Sequence, residues 1–241
     1  MPPEDFSSIL VPPPKRSLAD DIVDRLREAI YTGQLAPNER LREERLAEFL
    51  QVSRGPIREA LSQLEREGLV IKEPNRGATV ARLSREDLEE VYSLRLTLEQ
   101  LAIRQAIRHA EPHYFTELQN VVNAMAAAMD HGISVQEASS LDIRFHEIIY
   151  QASKNRRLYN FWSILRPQVH IFLLARHVAN PDFREHIIPG HQGILDAMCN
   201  KDEPRAVALL EDHLQAAYVR ILKSYTRDDG DHNVSQIPGS R

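Results

Sequence analysis

The sequence predicts a mainly α-helical protein in two parts: an N-terminal winged helix-turn-helix with a small β-hairpin wing, and a C-terminal all-α helical bundle. Three observations carry that expectation. Apolar residues recur at helical spacing through most of the chain. One stretch alone reads as β, Leu69–Glu73 and Ala78–Arg82 on either side of a Pro74-Asn75-Arg76-Gly77 turn. All ten histidines lie at or after His109, although even scattering would place about four or five of them earlier.

The elements follow in order. Residues 1–14 contain Pro2, Pro3 and Pro12-Pro13-Pro14 and read as an extended arm. From Ser17, Ile22, Leu26 and Ile30 mark a helix that Gly33 closes, and Leu35-Ala36-Pro37-Asn38 makes a turn. A short helix from about Arg42 to Leu50 is expected to bury Leu46, Phe49 and Leu50. Ser53 then reads as an N-cap with Pro56 in the first turn, where its missing N–H costs nothing. Ile57, Leu61 and Leu64 form the buried face of this helix, Gly68 ends it, and the hairpin follows. After the cap at Ser84, helices are expected near 84–110, 112–130, 134–152, 155–178, 182–200 and 203–226, with Pro167 kinking the fourth. The expected division is an arm (1–14), a winged helix-turn-helix (15–82), a helical domain (83–227) and a polar, disordered tail (228–241).

Composition removes several classes of function. The chain has 241 residues, a formal net charge of −5 and one cysteine, Cys199, so an internal disulfide and a cysteine-built metal site are excluded. No run of 18 apolar residues offers a membrane span, and the proline-rich, acidic N-terminus lacks the pattern of a signal peptide. A cytoplasmic protein with no membrane partner is expected. Charge is uneven: residues 15–82 carry a net +1 and residues 83–241 a net −4.

With Ile57, Leu61 and Leu64 inward, the third helix turns Ser53, Arg54, Gly55, Arg58 and Ser62 outward. Arg54 and Arg58 share a face near the helix N-terminus, which also favours phosphate, and arginine suits bidentate contact with guanine. Gly55 removes side-chain bulk, and Arg76-Gly77 at the hairpin tip can reach a minor groove or phosphates. Taken on that helix alone, the same arginines read equally as solvated surface residues. A net +1 is weak for a DNA binder, so binding should need two copies and fall steeply with salt.

In the second part, Asp142 and His146 are four apart on one helical face, a spacing that lets carboxylate and imidazole share a metal. His191 and His213 can also face inward beside apolar residues, although all of these read equally as ordinary hydrogen-bonded side chains. His109, His113, His131, His186 and His232 read as surface or loop residues, and His170 and His177 as pocket lining or packing. His146-Glu147-Ile148-Ile149-Tyr150 begins like the zinc-protease phrase His-Glu-x-x-His, but Tyr150 stands where the second histidine is needed.

The run LADDIVDRL…GATV, with LAEFLQVSRGPIREAL, LEREGLV and a wing glycine, resembles the DNA-binding domain of GntR-type bacterial regulators over residues 17–82. The resemblance implies that Arg54 and Arg58 read base edges and that Gly77 lets the wing approach the minor groove. Glu44 stands where many members carry arginine, so Arg45 or Arg42 is expected to make the contact from that helix. Residues 85–226 resemble the FCD effector domain of the FadR-type subgroup, whose signature is Asp-x3-His, a later His, and a last His about 22 residues on. That implies a divalent metal held by Asp142, His146, His191 and His213, with zinc the first expectation and nickel, manganese or iron also suited to an oxygen-and-imidazole set. Arg95 resembles a cavity-facing arginine of the subgroup that pairs with a ligand carboxylate; a bundle salt bridge to Glu99 is the other reading. The implied protein is no enzyme. It is a bacterial, nucleoid-associated homodimeric regulator, a repressor, that binds a palindromic double-stranded DNA operator and senses a small carboxylic acid. The rival is a metal-dependent hydrolase with an accessory domain.

Overall fold

The computed structural model describes residues 17–73, 77–130, 132–179 and 184–231, with side chains of 73, 175–179, 184, 185, 187 and 224–231 left out. Arg76, His131, His232, the arm 1–14 and residues 232–241 lie outside the described residues, as does the side chain of His177. The chain divides into two compact units, Met1–Ala81 and Arg82–Arg241.

The first unit runs α1 (Leu18–Tyr31), β1 (Arg40–Leu41), α2 (Glu43–Leu50), α3 (Arg54–Arg66), β2 (Val70–Glu73) and β3 (Gly77–Val80). Ser17 and Asp20 form a capping box that starts α1 by satisfying backbone N–H groups at its first turn. α1 and α3 pack together, closing Ile22, Val23 and Leu26 over the fully buried Ile57, Ala60, Leu61 and Leu64. Arg27 on α1 donates from Nε and Nη2 to both carboxylate oxygens of Glu67, just past α3, at 3.0 and 2.7 Å. That bidentate pair ties the two helices at their shared end.

Three details depart from the sequence expectations. The wing is a three-stranded antiparallel sheet in the order β1-β3-β2, with Arg40 opposite Thr79 and Leu41 opposite Ala78. A two-residue strand carries no alternation to read, so β1 left no signal. Phe49 is 84% exposed instead of buried. α2 faces inward with Ala47, and Phe49, two residues on at about 100° each, points the opposite way. Ser53 holds the N-cap position of α3 in extended backbone, but its hydroxyl makes no capping hydrogen bond.

The second unit comprises α4 (Arg85–His109), α5 (Pro112–Asp130), α6 (Val135–Ala152), α7 (Arg156–Ala179), α8 (Arg184–Cys199) and α9 (Glu203–Asp231). Ser84 and Asp87 form a second capping box, and Ser134 caps α6. α7 continues through Pro167, and α9 runs to Asp231, four residues into the stretch expected as tail. α6 packs against α4, α5 and α7, while α9 packs against α4, α7 and α8. Trp162, Tyr150, Phe145, Ile103 and Met125 fill the centre, with Tyr150 and Trp162 stacked 4.7 Å apart. α6 presents ten buried positions in eighteen, among them Asp142 and His146. A helix so enclosed is where polar groups are costly unless they are used.

Leu61 has no exposed surface and sits where α1 and α3 meet. Leu61→Ala should destabilise the first unit by about 2–5 kcal/mol. Native-state hydrogen exchange of the α3 amides should reveal the loss. Unchanged protection would mean that Leu61 is not at the centre of that core.

Candidate functional site

On α3 the outward face is built as expected. The Arg54 and Arg58 side chains are 50% and 60% exposed. Each is held by a carboxylate of α2: Arg54 Nη2 donates to Glu44 Oε1 at 2.9 Å and Arg58 Nε to Glu43 Oε2 at 2.7 Å. Glu44, at the position noted as departing from the GntR pattern, therefore aims Arg54. Arg45 is exposed on the same short helix. A Cβ on Gly55 would meet nothing closer than Ser53 Oγ at 3.9 Å, so no neighbour in the unit requires glycine there. Gly77 is different: its φ is +87°, and a Cβ would lie 3.0 Å from the Leu41 carbonyl oxygen. The close passage of β1 demands this glycine, whatever the wing meets outside.

In the second unit Asp142 and His146 (α6), His191 (α8) and His213 (α9) each offer a ligand atom, all within 4.8 Å of one another. Asp142 Oδ1 lies 3.5 Å from His191 Nε2 and 4.0 Å from His213 Nε2, and Oδ2 lies 3.9 Å from His146 Nε2. Ligands at about 2.0–2.2 Å from one ion sit about 3.0–3.5 Å apart, so small side-chain adjustments suffice. Asp142, His146 and His191 are buried, and His213 keeps a little exposure. A Cβ on Gly190 would come within 3.1 Å of His213 Nδ1, so the missing side chain is what seats that ring.

Behind the cluster lies Glu99, 1% exposed. Its Oε2 is 2.5 Å from His146 Nδ1, and its Oε1 accepts from Arg95 Nε at 2.6 Å. Burial alone raises a carboxyl group, but Arg95 and then His146 outweigh it and hold Glu99 below the usual carboxylate range. An ionised carboxylate only accepts, so Nδ1–H of His146 is the donor and the Nε2 lone pair faces the cluster. Burial also pushes the His146 imidazolium down, against the pull of Glu99, which favours the neutral ring that a metal needs. Among the described residues, His146 Nε2 is buried with no hydrogen-bond partner. A lone pair sealed from water beside a buried carboxylate fits a cation. Sequence reasoning saw Glu99 only as a partner of Arg95; its contact with His146 spans 47 positions and leaves no periodic trace.

Arg95 makes the salt bridge to Glu99 that one of its sequence readings expects. Nε is spent on Glu99, while Nη2 is buried without a hydrogen bond, 3.8 Å from Asp142 Oδ2. The same side chain lines a recess formed by α4, α7 and α9. His170 has its imidazolium pushed down to about 4 by burial and then by Arg166, and it lines neither this recess nor a second, polar one around Lys154 and Arg156. His109, His113 and His186 are exposed, as expected. Glu147, which a His-Glu-x-x-His hydrolase would use as base, instead accepts from Tyr159, Arg166 and Arg144, and Tyr150 stacks on Trp162. That removes the geometric ground for the hydrolase reading.

Residues 18–80 match the family described as "Bacterial regulatory proteins, gntR family", and residues 90–216 match the FCD domain. The chain is 31% identical over 184 residues to the HTH-type transcriptional regulator YdhC of Bacillus subtilis (strain 168), covering 76% of this chain and 81% of that one. It is 29% identical over 181 residues to the gluconate operon transcriptional repressor of Bacillus licheniformis, covering 73% and 74%. Among solved structures it resembles Escherichia coli McbR/YncC, with a TM-score of 0.74 and 27% identity over 87% of this chain and 99% of that one.

Removing the Glu99 carboxylate would leave Arg95 and His146 buried without their shared partner. Glu99→Ala should therefore cost about 3–5 kcal/mol, seen as a lowered unfolding midpoint of the metal-stripped protein. Glu99→Gln, which keeps an acceptor for Nδ1–H, should lose less. Equal midpoints for wild type and Glu99→Ala would refute the bridging role.

Proposed function

The chain belongs to the gntR family of bacterial regulatory proteins and carries an FCD domain, and from that premise we propose a homodimeric repressor that binds a palindromic operator and senses a small organic acid beside a bound divalent metal. The relatives are transcriptional regulators, and binding to DNA follows from the family. Arg54 and Arg58 read base edges in the major groove, Gly55 lets the start of α3 approach the phosphates, and Arg45, Ser53, Arg76 and Gly77 supply flanking contacts. The open space at Gly55 supports this reading. No neighbour among the described residues requires glycine there.

A domain of net charge +1 binds weakly alone, which favours two copies and a two-fold operator. The word repressor follows the printed name of one relative, the gluconate operon transcriptional repressor. No helix among the described residues is long and apolar enough to cross a membrane.

The observation that carries the sensing half is the buried Arg95 Nη2, 3.8 Å from an oxygen of the Asp142–His146–His191–His213 cluster. A cation that lines the recess stands beside a ligand set for a second cation, an arrangement suited to an anion. Asp142, His146, His191 and His213 hold the metal, zinc first, and when bound it supplies a positive anchor for a carboxylate. Glu99 fixes the His146 ring for that purpose. The acid changes DNA affinity by as much as its own affinity differs between the two arrangements of the dimer.

Duplexes selected by the protein from a randomised pool should contain an inverted repeat, and binding should weaken steeply with salt. Arg58→Ala should cost about 1–3 kcal/mol and relax preference at one base pair per half-site. Gly55→Ala should fold at least as stably yet bind more weakly. Selection of single half-sites would defeat the homodimeric reading.

Metal content measured on purified protein should be one divalent ion per chain, lost in His191→Ala and on chelation. Stabilisation on adding zinc back should follow its concentration. A protein that never takes up metal would overturn the cluster's assignment.

A further inference from the structure

The recess above Arg95 is selective in its own right. It holds about 330 Å³, counting the space at its mouth. Its wall is hydrocarbon from three helices: Leu88 and Val91 on α4, Val169 and Phe172 on α7, Leu214 and Ala217 on α9. Among the described residues, Arg95 is the only charged side chain lining it. The two tyrosines at its rim have their hydroxyls committed, Tyr92 to Gln215 at 2.5 Å and Tyr218 to Glu89 at 3.4 Å, and their rings are stacked 4.6 Å apart. Arg95 Nη2, in contrast, is buried with no acceptor.

We propose that the sensed acid is a monocarboxylate with a compact apolar tail, its carboxylate on Arg95 and its tail between α4, α7 and α9. This rests on the acid-sensing reading above and specifies the class of acid. A carboxylate supplies the acceptor that Nη2 lacks. A tail of hydroxyl groups would meet carbon along the whole wall and give up its hydrogen bonds to water, a loss of about tenfold or more for each hydroxyl. Methylene or aryl groups would instead gain roughly fourfold per buried carbon, the equivalent of about 0.8 kcal/mol. That volume includes space open to solvent at the mouth, so the enclosed part suits only a short tail.

Hexanoate and gluconate have the same carbon count and the same carboxylate, so they isolate the tail. Titrated calorimetrically into the full-length, metal-loaded protein, hexanoate should bind at least 100-fold more tightly than gluconate. Affinity should climb from butyrate to hexanoate and level off once the recess is full. Ala217→Leu narrows the recess and should shift the optimum to shorter acids; Val169→Ala widens it and should shift the optimum to longer ones. Both should keep their metal content, and a shift in preferred length is something general destabilisation does not produce. Gluconate binding as tightly as hexanoate, or a length optimum unmoved in whichever variant folds, would overturn the proposal while leaving acid sensing intact. If no acid in the series bound, the acid-sensing reading would fall with it.

Discussion

One carboxylate, Glu99, organises the interior of the helical unit. It is buried on α4, accepts from Arg95 on its own helix and from His146 on α6, and so joins the cation facing the recess to the first ring of the ligand cluster. The arrangement of its neighbours follows from this. Because Glu99 takes Nδ1–H of His146, the lone pair must point to Asp142 and its partners. Because it takes Nε of Arg95, Nη2 is left buried without a hydrogen bond beside Asp142. A buried charge is tolerated only when paired. Here the pairing also determines where unspent donors and lone pairs emerge.

The outward face of α3 uses charge in the opposite regime. Arg54 and Arg58 sit in water, and their pairs with Glu44 and Glu43 are exposed and of the kind that contributes little to stability. Such pairs hold the guanidinium groups in position without committing them, and a phosphate or a guanine edge can take the place of the carboxylate. The same acids keep the net charge of the unit near zero.

Periodicity and caps made most of the helices legible. Ser17 and Ser84 mark the starts of α1 and α4, and apolar spacing set the inward faces of α1 and α3. What stayed hidden was either too short or too distant. β1 has two residues and no pattern. Phe49 belongs to an eight-residue helix in which one small residue, Ala47, takes the buried side, so hydrophobicity alone misplaced it. At the cluster, the Asp142–His146 spacing and its resemblance to the FCD signature pointed to four residues that the structure brings together. Glu99 and Gly190 were missed as parts of it because their roles exist only across helices: one bonds to a ring 47 positions away, and the other clears space for His213.

Charge balance in that interior connects the metal to the acid. Asp142 and Glu99 bring two negative charges and Arg95 one positive, while histidines that ligate a metal do so as neutral rings. The buried set therefore stands at net −1 before any ion enters. A divalent cation takes it to +1, an excess that a low-dielectric interior penalises. One monocarboxylate restores neutrality. A dicarboxylate would overshoot to −1 and would have to keep its second group in water, which the hydrocarbon wall of the recess denies to anything bound deeply. On the proposed reading, metal and acid would favour each other through charge. The coupling is reciprocal, so a bound acid of the right class must also hold the metal more tightly.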